Sequence, residues 1–216
     1  MSALEELRQS LAEGPDKEIV ILHASDGLEE LTVLPPLPVS AARVELYGFA
    51  RLEHLSVGAM LKLRGLVVEE NDRMAHFPHE RFQPTLEELR LLHWRALIDL
   101  PPLRPTCIHT LDLTGCERLE VVPAFPDSMR SAILKGCRSA RRLEGLNQGL
   151  QMLSVEDCSA LEEVVGPYPT SLKYLVMRGC NPRIVPRPED LPLGCQCIAA
   201  DEAIFKGLRV PPTGTD

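Results

Sequence analysis

No stretch of the 216 residues approaches the ~20 consecutive apolar residues of a membrane span, so the chain is expected to be soluble. Basic charge is also short: 23 lysines and arginines stand against 31 aspartates and glutamates, a formal net charge of -8. A surface for nucleic acid or an anionic membrane needs an excess of cations, so neither partner is expected. Arg138, Arg141 and Arg142 form the one basic cluster, which reads as a solvated face. Also missing are a GxGxxG turn, a phosphate-binding loop and a Ser/His/Asp constellation. His23, His54, His93 and His109 are scattered singly. The run from His76 to Glu80, HFPHE, is superficially similar to a helical metal-binding motif, but Pro78 argues against a helix interior. Cys195 and Cys197 suggest a redox pair, half a metal site or a thioester nucleophile. A zinc site, however, wants four ligands, and no second close Cys or His pair appears. No catalysis, cofactor or metal is therefore expected.

The N-terminus, MSALEELRQSLAEG, places Leu4, Leu7 and Leu11 at helical spacing, with Glu5 and Glu6 early and Gly14-Pro15 as a stop. It reads as a capping helix over 1–16. Its early acids and lack of a continuous apolar core do not suit a secretory signal. The length fits one compact domain.

The strongest positive feature is a period. Cys116, Cys137, Cys158 and Cys180 recur at intervals of 21, 21 and 22 residues. The segments from Ile108 (IHTLDLTGC), Leu150 (LQMLSVEDC) and Leu172 (LKYLVMRGC) share the frame LxxLxLxxC. Extending it gives starts at Lys17, Ala41, Leu63, Leu86, Ile108, Met129, Leu150 and Leu172, separated by 24, 22, 23, 22, 21, 21 and 22 residues. Ser25, Phe49, Asn71 and Trp94 take the cysteine slot in the first four copies. Prolines recur in the return segments, as in Leu34-Pro35-Pro36-Leu37-Pro38, Phe77-Pro78, Leu100-Pro101-Pro102-Leu103, Val122-Pro123-Ala124-Phe125-Pro126 and Pro167-Tyr168-Pro169. Proline fixes φ and removes a donor, so these stretches are expected to be extended rather than helical.

A frame of this kind, at a period in the range of roughly 20 to 29 residues, resembles the leucine-rich repeat. The cysteine slot with leucine three residues on, as in Cys116 and Leu119 or Cys158 and Leu161, resembles its cysteine-containing subclass. Together with the LPxLP returns, residues 17 to 186 resemble the repeats of bacterial type III secreted effectors, the group that includes the IpaH-like ubiquitin ligases. Those ligases carry a large catalytic domain after the repeats, whereas about thirty residues follow Pro186 here, so no ligase domain is expected. The resemblance implies an α/β-type leucine-rich-repeat solenoid. Short parallel strands would line the concave side, extended or 3-10 returns the convex side, with a helical N-cap and a C-terminal cap over 187–216.

In such a solenoid the residues at frame positions one, four and six point inward, and stacking buries what no single copy can bury alone. The slot cysteine fills the bend, where its weak S–H donor can reach a carbonyl. One buried thiol per coil, with an odd total of seven, suggests reduced cysteines and a cytoplasmic protein. Release into a host cell is what the effector resemblance adds.

Frame positions three, five, seven and eight then face the concave side. They are Arg43, Glu45 and Tyr47; Val67, Glu69 and Glu70; Glu88, Arg90, Leu92 and His93; Thr110, Asp112 and Thr114; Ile133 and Lys135; Met152, Ser154, Glu156 and Asp157; Tyr174, Val176 and Arg178. This mixture of aromatic, aliphatic and charged groups suits recognition of a protein. Glu45, Glu69 and Glu70 gather in the earlier half, Lys135 and Arg178 in the later, an asymmetry that would orient a partner. The expected function is a monomeric, non-catalytic protein-binding module. The alternatives are the substrate-recognition part of a ubiquitin ligase, or an intracellular scaffold.

Overall fold

The computed structural model describes residues 3–12, 18–24, 27–57, 59–77 and 81–199. The expected start at Lys17, the slot at Ser25, the Gly14-Pro15 stop, His79 and Glu80 lie outside them. One helix, α1 (Ala3–Ala12), buries Leu7 and Leu11 in the core. Twelve short strands follow among the described residues: β1 (Ile19–His23), β2 (Arg43–Tyr47), β3 (Gly65–Glu69), β4 (Glu88–Leu92), β5 (Thr110–Asp112), β6 (Val121–Val122), β7 (Ser131–Ile133), β8 (Arg142–Leu143), β9 (Met152–Ser154), β10 (Glu163–Val164), β11 (Tyr174–Val176) and β12 (Gln196–Ile198).

Nine of these make one sheet, in the order β1-β2-β3-β4-β5-β7-β9-β11-β12. Every pairing is parallel, so the chain winds as a β-solenoid of about eight stacked turns. Ile19 pairs with Arg43, then Gly65, Glu88, Thr110, Ser131, Met152, Tyr174 and Gln196 in succession. From β1 to β11 these pairings repeat the spacing of the sequence frame. Alternation does the rest: in β2 Val44 and Leu46 are buried while Arg43, Glu45 and Tyr47 stay partly exposed. The inward columns, from Ala41, Val44 and Leu46 to Leu172, Leu175 and Met177, join into one continuous core.

Two features lock neighbouring coils together where the strands end. The residue just before the slot is left-handed in every coil from Gly48 to Gly179, including Glu70 (φ 61), His93 (φ 56) and Asp157 (φ 58). Its N–H donates to the next coil, as from Gly115 to Lys135 O (2.8 Å) and from Asp157 to Arg178 O (2.7 Å). Glycine matters most at Gly115 and Gly179, because a Cβ there would stand 2.5 Å from His93 Nδ1 and 2.3 Å from Asp157 Oδ1. Glu70, His93 and Asp157 are thus corner residues as well as members of the binding face inferred from the frame.

The slot side chain is the second lock. Cys116, Cys137, Cys158 and Cys180 donate from Sγ to the carbonyls of Leu91, Leu113, Leu134 and Val155 in the preceding coil, at 3.2, 3.3, 3.0 and 2.8 Å. Asn71 does more. Its Nδ2 donates to Phe49 O (3.2 Å) and Leu52 O (2.8 Å), while its Oδ1 accepts from the N–H groups of Arg73 (3.1 Å) and Met74 (2.8 Å). Phe49 and Trp94 fill the same slot by volume alone.

A third ladder runs along the turns that lead into the strands. Thr85 donates to Leu63 O (2.9 Å), Ser128 to Ile108 O (2.8 Å), Asn147 to Met129 O (3.0 Å) and Ser171 to Leu150 O (2.6 Å). These small polar residues stand immediately before, or close before, frame position one.

Three of the return segments are extended and pair as a small parallel sheet in the order β10-β8-β6, and short 3-10 turns occupy Pro182–Ile184 and Pro188–Asp190. On this side Arg138 faces Glu117 (3.7 Å), Arg141 faces Glu162 (3.8 Å), and Arg142 faces Glu144 (2.8 Å) and Glu163 (3.4 Å). The basic cluster is therefore internally countered, by exposed pairs that contribute little to stability.

The frame stops one strand short. β12 adds a ninth strand, and Cys197 within it and Cys195 just before it both turn into the core, 6 % and 3 % exposed. These thiols extend the inward column. Not all cysteines are buried, however: all seven are free, with Cys107 exposed and Cys180 half-buried.

Candidate functional site

The outward face of the nine-stranded sheet has two halves of different character. On β2 to β4 a connected polar network lies across the strands. Arg43 holds Glu45 Oε1 (2.5 Å) through Nε and Glu88 Oε2 (2.6 Å) through Nη1, Arg90 Nε meets Glu88 Oε1 (2.5 Å), and Tyr47 donates to Glu45 Oε2 (2.8 Å). Gly65 makes this possible: it stands between Arg43 and Glu88 in the register, and a Cβ there would be 2.7 Å from Arg43 Nη1. His23 stacks on Tyr47 with ring centroids 4.9 Å apart.

The network sets the protonation of its members. Hydrogen bonds to Glu88 and Glu45 push the Arg43 value up further. The hydrogen bond from Arg43, then that from Tyr47, holds Glu45 below the usual carboxylate value, and donation to Glu45 raises Tyr47. Burial acts upward on Glu88, but Arg43 and Arg90 outweigh it and leave it lowered. Carboxylates with lowered folded values add stability that is fully present above the unfolded value, here 4.5, and lost as pH falls through the folded values. Urea unfolding should therefore show lower stability at about pH 3 than at about pH 7, with a smaller difference in Gly65→Ala, where the added methyl displaces the Arg43 guanidinium from Glu88.

Val67 belongs to this face but not to its accessible surface. It lies between Glu45 and Arg90 in the register and is only 5 % exposed beneath the network. Its expected role as a contact residue is corrected to that of a floor.

The other half is apolar. On β7, β9, β11 and β12 the outward side chains include Ile133, Met152, Tyr174, Val176 and Ile198, with Tyr174 47 % exposed. Met152 pairs with Tyr174, Val176 with Ile198, and Ser154 with both Ile133 and Val176. Ser154 is 5 % exposed, so it too is a floor residue, overlooked by taller neighbours. Between the halves, Thr114 N–H and Oγ1 both donate to Asp112 Oδ1 (3.0 and 2.6 Å), and Lys135 meets Glu156 (3.1 Å). Leu92 lies beside Glu69 in the register. Ile19 and Ile21, which the sequence reading did not select, stand 59 % and 52 % exposed on β1.

Burial pushes the Cys116 thiol up to about 12 and those of Cys180 and Cys197 up to about 11, which suits packing rather than nucleophilic attack. Interaction with the Cys158 thiol and burial hold Cys137 well up, while interaction with Cys137 leaves Cys158 lower. His76 Nδ1 lies 3.0 Å from Asp99 Oδ1, and among the described residues no three His, Cys, Asp or Glu side chains are grouped to hold a metal ion. No helix among them is long and apolar enough to cross a membrane.

No family model matches the chain, and comparison with curated proteins and with solved structures gives no match.

Proposed function

We propose that the chain is a leucine-rich-repeat horseshoe that binds another protein, without catalysis, on the concave surface formed by the outward face of its nine-stranded sheet. The observation that carries the reading is the run of partly exposed apolar side chains Ile133, Met152, Tyr174, Val176 and Ile198 on successive strands, beside the fixed Arg43-Glu45-Glu88-Arg90 network. A merely solvated face has no need of adjacent apolar groups, whereas an interface uses a few such anchors within a polar surround. The network suits this use because its side chains are already ordered, leaving less entropy to lose on binding. Specificity then comes from side chains on neighbouring strands of a preformed arc.

A cytoplasmic scaffold and an effector released into a host cell would use this face alike; the LPxLP returns favour the effector. The test is affinity capture from lysate of the producing cell and from a eukaryotic lysate, with the wild type, a Met152→Ala/Tyr174→Ala variant of the face and a Val121→Ser variant of the opposite side. The proposal expects a protein retained by wild type and Val121→Ser and lost by the face variant. Its lysate of origin chooses between scaffold and effector. A partner lost only by Val121→Ser would move the site to the returns.

A further inference from the structure

We infer that the face is built for a linear segment of a partner protein that carries lysine or arginine at one end and a large apolar side chain toward the other. The inference rests on the binding function proposed above and specifies the chemistry of the partner.

Two independent features lead to it. The first is the charge left over after internal pairing. Arg43, Arg90 and Lys135 each hold a carboxylate of the same face. Among the described residues Glu69 and Glu70 have no ion pair, and both lie at the end of β3; at the other end Arg178 has none, but neither has Asp157 on the adjacent coil, so their charges offset. A partner therefore meets uncompensated acid at the third strand. An acidic group brought there would be repelled, and with the apolar strands beyond it the face reads the direction of a basic segment as well as its sign.

The second feature is a seat for one apolar side chain. Ser154, short and 5 % exposed, lies between Ile133 and Val176 in the register, with Met152 on its own strand and Tyr174 diagonal to it. These larger side chains close over Ser154 and make one apolar surface with Tyr174 exposed on it, the setting in which an interface anchor is desolvated. From β3 to β9 there are four strand spacings of ~4.8 Å, roughly 19 Å, which about six extended residues span. The strands from β2 to β11 are bonded to neighbours on both sides in the sheet, so a segment lying over them runs across them and is held by side chains.

The test is selection of a random twelve-residue peptide library, displayed on phage, against the whole chain. Binding of the enriched peptides is then measured to wild type, Tyr174→Ala and Glu69→Gln/Glu70→Gln. Tyr174 and Glu70 are exposed and Glu69 is half-buried with no ion pair, and circular dichroism of each variant checks that the fold persists. The expected result is enrichment of peptides combining Lys or Arg with a large apolar residue, with affinity falling about tenfold in each variant, the size of one hot-spot contact. In the carboxylate variant the dependence on salt should also weaken. Acidic or uncharged peptides that lose affinity in Tyr174→Ala would overturn the inference while leaving the face as the site. Peptides indifferent to both variants would count against the face itself. Failure to enrich any sequence would overturn the claim of a short linear segment.

Discussion

Replacing Asn71 by alanine is expected to lower the unfolding free energy by about 3–5 kcal/mol, because buried hydrogen-bonding groups in two coils lose their partner together. Phe49 O and Leu52 O lose a donor, and the N–H groups of Met74 and Arg73 lose an acceptor. Arg73 is exposed and can turn to water, but Asn71 itself is fully buried, and its other partners lie in the core. Cys137→Ala, in the same slot two coils beyond Trp94, removes one weak S–H bond and one atom, so its cost should be about 1 kcal/mol. Asn71→Cys should fall between them, since a thiol restores the donor without the acceptor. Urea unfolding followed by circular dichroism measures all three. Equal losses for Asn71→Ala and Cys137→Ala would mean that the slot works by volume alone.

Trp94→Ala should cost about 3–5 kcal/mol, the range for deleting a large buried aromatic side chain. Trp94 is wholly buried in its slot and stacks on Phe77 with centroids 5.8 Å apart, so its loss leaves a cavity between two coils. Trp94→Phe should be far milder, within about 1 kcal/mol of wild type. The indole Nε1 is buried without a hydrogen-bond partner, and an orphaned donor costs about 1–3 kcal/mol, which phenylalanine would recover against its smaller buried area. The same denaturation series separates the two. A phenylalanine variant as damaged as the alanine one would show that the indole N–H is satisfied after all.

The period could be read from the sequence because it is the packing rule itself. Leu111, Leu113 and Cys116 recur one coil later as Ala132, Leu134 and Cys137, and the strand pairing reproduces that register. Other elements were harder to see for physical reasons. The left-handed corner is announced by Gly48, Gly115, Gly136 and Gly179 just before the slot, but Glu70, His93 and Asp157 break the glycine pattern at the same place. Thr85, Ser128 and Ser171 do recur just before frame position one, a signal masked by the more conspicuous prolines around them. β12 escaped because Cys195 and Cys197 stand two residues apart, where the frame puts its first two inward positions three apart.

On the candidate face, the alternation of strand residues was enough to assign a side but not a height. Val67 and Ser154 face outward as expected, yet the first disappears under Arg43 and its partners and the second between Ile133 and Val176. Accessibility here depends on the lengths of side chains one coil away. It also depends on Gly65, whose missing Cβ lets Arg43 reach Glu88 across 45 residues of sequence.

Photo-cross-linking tests the proposed binding face most directly. Benzoylphenylalanine would be placed at Tyr174 in one protein and at Val121, an exposed residue of the return side, in another. Both would be irradiated in the lysate that yields a partner and compared for covalent adducts. Binding on the outward sheet face predicts a discrete adduct from position 174 and none from position 121. An adduct from position 121 with none from position 174 would contradict it.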